Sequence, residues 1–376
     1  MSLQPFELEV GGARVAGLRN HGDGPRVLAL HGWLDNAASF VPLAPHLASL
    51  QLVAIDLPGH GHSAHLPAGA SYTTAAAICH VLDVADALGW DRFSLLGHSM
   101  GAGIASLTAS VSDRVERLVA IEALGGLRGP EEETANRLRE HVNATRALAR
   151  KQLRVFPDLA APIRARMMTN QLSEPCARLL VERGVEPVEG GYRWCSDPRL
   201  MLPTAIRLSE GQIDNLLQAI ACPTQVIYAT PAQSYYPEPM RSDRLQHLRD
   251  GRLAVFPGNH HLHMEDPEQI AGVILHFFSN DNAGLAQASA RFTPRVCGRY
   301  ISCGPLRPLH AGPVGPAACV WFCKEVRMPA LLHRHPQDVA AVSRLRVANR
   351  AASLEFPAPA LVTPCCVRCG VLVVVC

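Results

Sequence analysis

Ser99 lies at the centre of Gly97-His98-Ser99-Met100-Gly101, between the apolar run Phe93-Ser94-Leu95-Leu96 and the small-residue segment Ala102-Gly103-Ile104-Ala105-Ser106-Leu107. An apolar run, a sharp turn and a small-residue helix in that order put a hydroxyl at the apex of a strained turn. The flanking glycines remove side chains that would collide with the backbone there. A serine so placed becomes a nucleophile once a base stands beside it. The helix opening at Met100 directs free N–H groups toward any negative charge that forms at the serine. The chemistry this spacing suits is nucleophilic attack by the serine, with helix N–H groups meeting the charge that develops; the alternative reading is a Gly-rich turn that only starts a helix.

The elements that must position this turn are legible on either side of it. Phe6–Val10 alternates, meets Gly11-Gly12 and resumes as Ala13–Leu18, which predicts a hairpin. Arg26–Leu30 and Leu52–Ile55 read as short buried strands. The first runs into His31-Gly32-Trp33-Leu34-Asp35-Asn36, where Asn36 is expected to cap a helix through about Leu50. The second runs into Asp56-Leu57-Pro58-Gly59-His60-Gly61-His62-Ser63. A helix is predicted over Thr73–Leu88, and Leu118–Ile121 is the next strand, ending at Glu122. From Arg128 to about Ala221 strand signals nearly vanish. Helical stretches such as Glu131–Val155 and Glu174–Arg183 take over, broken by prolines at 157, 162, 175, 187, 198 and 203. Strands resume at Thr224–Tyr228 and Arg252–Phe256, followed by Pro257-Gly258-Asn259-His260 and a last helix to about Phe278. Short apolar strands alternating with helices predict an α/β fold whose mostly parallel sheet is covered on both faces.

Composition bounds the function. The 376 residues are 48% hydrophobic with a formal net charge of +2, so no bulk basic surface points to nucleic acid. No apolar run is long enough to span a bilayer, and the first residues show no charged and apolar signal pattern, so the expected address is the cytoplasm. The averages conceal a split near residue 280. Residues 281–376 hold eight of the 12 cysteines, ten prolines, and eleven Lys+Arg against four Asp+Glu.

Four stretches, His31–Asn36, Asp56–Ser63, Gly97–Gly101 and Pro257–His260, make residues 1–280 resemble the α/β-hydrolase superfamily, and within it the serine hydrolase-like group. The resemblance implies Ser99 as nucleophile, His260 as its base and the backbone N–H groups of Trp33 and Met100 as an oxyanion hole. It implies no cofactor. His31, His98, His261 and Asp56 are expected to be structural, and zinc is not expected at the His260-His261-Leu262-His263 run, because no carboxylate or cysteine arrangement accompanies it. The third triad member departs from the common pattern: Ala229–Pro237, after the Tyr228 strand, contains no carboxylate. Some members of the superfamily place the acid one strand earlier, which here is Glu122. Orienting acid and solvated loop glutamate remain open readings of Glu122, with Glu238 and Asp243 as weaker candidates.

The expected organisation is a core in residues 1–126 and 222–280, a helical cap in 127–221, and a tail, 281–376, that is disordered or not native to the fold. A cysteine-built metal module is the alternative for the tail. Cap residues such as Met167, Met168, Leu172 and Trp194 are expected to line the pocket. The function expected is serine-dependent hydrolysis of a small ester or related acyl compound. The alternatives are an inactive binding protein on the same fold, or carbon–carbon hydrolysis or cofactor-free oxygenation on the same scaffold. No macromolecular partner is implied, and the oligomeric state is open.

Overall fold

The structure is a computed structural model that describes residues 2–148 and 154–279. The tail of residues 281–376, and every reading that falls on it, lies outside the described residues. The hairpin forms as β1 (Gln4–Val10) and β2 (Ala13–Arg19), paired antiparallel from Gln4–Arg19 to Val10–Ala13. Next come β3 (Arg26–Leu30), β4 (Gln51–Ile55), α1 (Thr74–Ala87), β5 (Phe93–His98), α2 (Met100–Val111) and β6 (Val115–Ile121). After a long excursion the sheet resumes with β10 (Thr224–Thr230) and β11 (Gly251–Pro257). The eight strands lie in the order β1-β2-β4-β3-β5-β6-β10-β11, and from β4 onward each pairs parallel with its neighbour.

Alternation along these strands sends side chains to opposite faces, so each face gains its own core. Leu28, Leu30, Leu95, Leu118, Ala120 and Val226 pack with Val81 and Val84 of α1, and with Ala102, Ala105 and Ala109 of α2. Val27, Ala29, Leu52, Leu96, Val119 and Ile227 pack on the other side with Phe40 and Leu47. They also meet Ile270, Ile274 and Phe277 of the last helix, Pro267–Phe278. The small residues of α2 follow from its nearly complete burial from Gly101 to Ala109. Among the described residues no helix is long and apolar enough to cross a membrane.

Two local expectations fail. Asn36 does cap, its side-chain oxygen accepting from the Ala38 N–H, but it opens only a single 3-10 turn, Ala37–Phe40. A second turn spans Ala44–Leu47 in place of a helix to Leu50. Pro42 and Pro45 remove the N–H groups an α-helix would need there. The segment between β6 and β10 also has strands. Its helices α3 (Thr134–Leu148), α4 (Ala160–Asn170), α5 (Glu174–Gly184) and α6 (Glu210–Ala219) are joined by a small antiparallel sheet. Its strands are β7 (Val155–Phe156), β8 (Val185–Val188) and β9 (Gly191–Trp194), in the order β7-β9-β8. Strands this short, with Pro187 at one edge and Gly190-Gly191 at the turn, carry too few alternating residues to stand out as strands in sequence.

Candidate active site

The turn at Ser99 is strained in the expected way. Ser99 has φ 52° and ψ −116°, a region L-residues avoid, and it stands between the end of β5 and the first residue of α2. The Ser99 N–H donates to the Ile121 carbonyl at 2.8 Å, which ties the apex to the end of β6. A Cβ at Gly97 would lie 2.4 Å from the Ala102 Cα, and one at Gly101 would lie 2.0 Å from the Leu30 carbonyl oxygen. Any side chain at either position would therefore overlap backbone.

β6 and β11 deliver the partners. His260 sits in the loop after β11 with Nε2 2.8 Å from Ser99 Oγ and Nδ1 3.1 Å from Glu122 Oε2. Glu122 directly follows β6 with φ 61°, and its side chain is fully buried. A carboxylate can only accept, so the imidazole donates from Nδ1 and keeps the Nε2 lone pair for the serine hydroxyl. Glu122 Oε1 accepts from the Ala229 N–H, and Oε2 also faces the Arg241 guanidinium at 3.4 Å. Glu122 is thus a buried, partnered carboxylate rather than a solvated loop residue. Glu238 and Asp243 lie on α7 (Glu238–Gln246), both exposed, and neither bonds His260. Arg241, on the same helix, is buried. It donates to the carbonyls of Ala229 and Tyr236, and stacks 4.4 Å from the Tyr228 ring. Nothing in its spacing from Glu122, 119 residues away, marks it in sequence.

The neighbouring histidines form a support layer. His98 Nε2 donates to the His260 carbonyl at 2.8 Å, and Asn259 holds the same loop by accepting from the His261 N–H. His261 Nε2 lies 3.1 Å from Asp35 Oδ2, so His261 has a charged partner beyond simple packing. Burial raises the Asp35 carboxyl, but its interaction and hydrogen bond with His261, and then the Arg166 guanidinium, outweigh it and hold the group well below the usual carboxylate range. Burial pushes His98 and His263 well below the ordinary histidine value, and the adjacent imidazoles add to it. Asp35, His98 and His261 bring ligand-type atoms within 4.8 Å of one another, a carboxylate arrangement not evident from the sequence. Its charge is already met by Arg166 Nη1, 3.2 Å from Asp35 Oδ1, so a cation there would face a guanidinium. His31 donates from Nδ1 to the Gly32 carbonyl and accepts from the Leu57 N–H. Asp56, fully buried, accepts from the N–H groups of Ala37 and His62 and from Arg183 at 2.8 Å.

The two amides expected to receive an oxyanion lie in separate turns. The Met100 N–H opens the first turn of α2, where helical N–H groups have no intrahelical partner. Trp33 lies in the tight turn closed by Asp35 N–H to the Gly32 carbonyl, with Leu34 at φ 58° and the indole donating to the Leu200 carbonyl. The apolar residues expected to line a pocket divide differently. Leu172 is buried in a satellite core with Leu180 and Val181, with Met167 and Trp194 packed against it, while Met168 is exposed. Leu172, Met167 and Trp194 thus belong to a small core of the segment between β6 and β10.

Residues 25–169 match the family model of the alpha/beta hydrolase fold. A serine hydrolase-like protein of Dictyostelium discoideum is 32% identical over 267 residues, covering 67% of this chain and 74% of that protein. The structure of a hypothetical protein from Pseudomonas aeruginosa PAO1 is 39% identical, covers 74% of this chain and 100% of its own, and superposes with a TM-score of 0.70. A thioesterase domain from the curacin biosynthetic pathway is 28% identical, covers 73% of this chain and 100% of its own, and has a TM-score of 0.64. A single strained serine turn on a mostly parallel sheet, matched over most of the described residues by these relatives, places the chain: it belongs to the α/β-hydrolase superfamily, in the serine hydrolase-like group.

Proposed function

We propose that the protein is a serine-dependent hydrolase of a small ester or related acyl compound, working through Ser99, His260 and Glu122. The observation that carries this reading is the continuous relay from Ser99 Oγ to His260 Nε2 at 2.8 Å and from His260 Nδ1 to Glu122 Oε2 at 3.1 Å. Ser99 Oγ attacks the carbonyl carbon as its proton passes to His260 Nε2, and Glu122 stabilises the imidazolium that forms. The tetrahedral oxyanion is received by the amides of Met100 and Trp33. His260 then protonates the leaving group, an acyl-serine remains, and water activated by the same imidazole releases the acid. The segment over 127–221 acts as a cap above the serine. The thioesterase domain among the similar structures makes a thioester a reasonable member of the test panel.

The test is labelling of the full-length protein with a fluorophosphonate, followed by a panel of esters, thioesters and lactones. Ser99→Ala is expected to abolish both labelling and turnover while the melting temperature is kept. Labelling of the alanine variant at the wild-type rate would remove Ser99 from the mechanism.

A further inference from the structure

A cavity of about 440 Å³ is reached from the candidate catalytic histidine through one intervening ring, Tyr235, and its wall is cationic. The Tyr235 ring forms part of the lining and stands edge-on to the His260 imidazole, with centroids 6.3 Å apart. Arg128, Arg137 and Arg207 line the same space, against one carboxylate, Glu133.

The three arginines differ in how their charge is met. Arg137 pairs with Glu133 at 3.2 Å, and Arg128 lies 3.7 Å from Glu210, whose carboxylate is already gripped by Arg244 at 2.6 Å. Arg207 is half-buried, and among the described residues no hydrogen bond or ion pair joins its side chain. Burial, and then the charge of Arg137, depress its affinity for its proton, with Glu133 acting in the opposite sense. The position is also built. The Gly129 N–H donates to the Leu208 carbonyl, and a Cβ at Gly129 would lie 2.9 Å from the Arg207 Cβ, so the two loops meet closely only because residue 129 is glycine. His141 of α3 bonds the Pro203 carbonyl at 2.8 Å, which ties α3 to the segment that leads into Arg207. A partly desolvated guanidinium held beside a second one is unfavourable for the empty fold and favourable once an anion sits between them.

We propose that this cavity binds an anionic group of the substrate, a carboxylate or phosphate carried some atoms away from the scissile carbonyl, with Arg207 as its main contact. It rests on the hydrolase reading above only for what stands at the other end of that substrate. Arg128 and Arg137, each already facing one carboxylate, add attraction, and Tyr235 separates the anion from the reacting carbonyl.

Binding is measured on full-length Ser99→Ala protein, where no turnover intervenes. Monomethyl esters of dicarboxylic acids from succinate to sebacate are titrated calorimetrically beside the matching dimethyl esters, and the methyl ester of 3-phosphonopropionate beside them. At least one anionic ester is expected to bind about tenfold to a hundredfold more tightly than its neutral counterpart. Arg207→Gln is expected to erase that difference, Arg207→Lys to keep part of it, and raising salt from about 50 mM to about 500 mM to shrink it. Whether carboxylate or phosphonate binds better identifies the source of the anion. Equal binding of anionic and neutral esters at every length, no measurable binding of any anion, or a preference that survives Arg207→Gln would overturn the proposal. Turnover of neutral esters by the wild type without anion preference leaves the hydrolase reading standing and removes this one. Arg207-dependent anion binding in a protein that hydrolyses nothing does the reverse.

Discussion

Replacing Glu122 with glutamine tests the relay at its least exposed point. The carboxylate receives three donors: the Ala229 N–H on Oε1, and His260 Nδ1–H and Arg241 Nη2–H on Oε2. An amide of the same shape still offers Oε1 to Ala229. Its NH2 then confronts two donors: Arg241 loses its acceptor outright, and the clash with His260 is relieved only if the imidazole moves its proton to Nε2. That tautomer presents N–H to Ser99 Oγ where a lone pair is needed, and the imidazolium also loses its counter-charge. The expected loss in kcat is about a thousandfold to ten-thousandfold, equivalent to about 4 to 5.5 kcal/mol of transition-state stabilisation. The fold should survive, since Arg241 keeps the Ala229 and Tyr236 carbonyls and the Tyr228 ring, and a loss of about 2 kcal/mol in stability is expected. Single-turnover acylation followed by a chromogenic leaving group measures the step directly. Glu238→Gln and Asp243→Asn, exposed on α7, should acylate at the wild-type rate. A Glu122→Gln protein within about tenfold of wild type would show that His260 is oriented by something else.

Gly101→Ala should lower stability by about 3 kcal/mol in urea melts, since its Cβ would lie 2.0 Å from the Leu30 oxygen; an unchanged midpoint would mean that the turn relaxes freely. Arg183→Ala leaves the fully buried Asp56 with only backbone partners and should cost about 3 kcal/mol, read as a fall in melting temperature; an unshifted melt would count against the pair. Acid should also weaken the fold. Burial, then the charge of His31, lowers His60 from 6.5 to about 3, and burial lowers His98 and His263 in the same direction. Below about pH 6.5 the unfolded chain takes up these protons and the folded chain does not, so His60 alone removes about 2 kcal/mol by about pH 5. Denaturant melts that coincide at about pH 7.5 and about pH 5 would refute this.

Much of this architecture was legible because buried parallel strands are short, continuous and apolar, and because the Ser99 turn has a sequence requirement of its own. Ser99, His260 and Glu122 come from three stretches whose rank along the chain mirrors their strand ends, β5, β11 and β6. Arg241, Arg166 and Asp35 did not announce themselves, since a buried ion pair between distant segments leaves no period and no spacing. The 37–47 region misled because Asn36 is a genuine cap signal, while Pro42 and Pro45 hold the chain beyond it to short 3-10 turns. Trp194 and Leu172 looked like pocket residues because apolar residues on an insertion between strands satisfy its private core and a ligand wall equally well in sequence.

Arg166 of α4 donates to the Leu34 carbonyl as well as to Asp35, and Asn36 donates back to the Leu180 carbonyl of α5 at 2.9 Å. Helices α4 and α5 are therefore tied directly to the turn that carries the Trp33 amide. In the proposed mechanism a substrate group that presses on α4 shifts the Trp33 amide, so binding energy gathered far from the carbonyl is convertible into rate. Substitutions on the outer face of α4 should alter kcat together with KM, and good substrates should differ from poor ones in how fast they acylate more than in how tightly they bind.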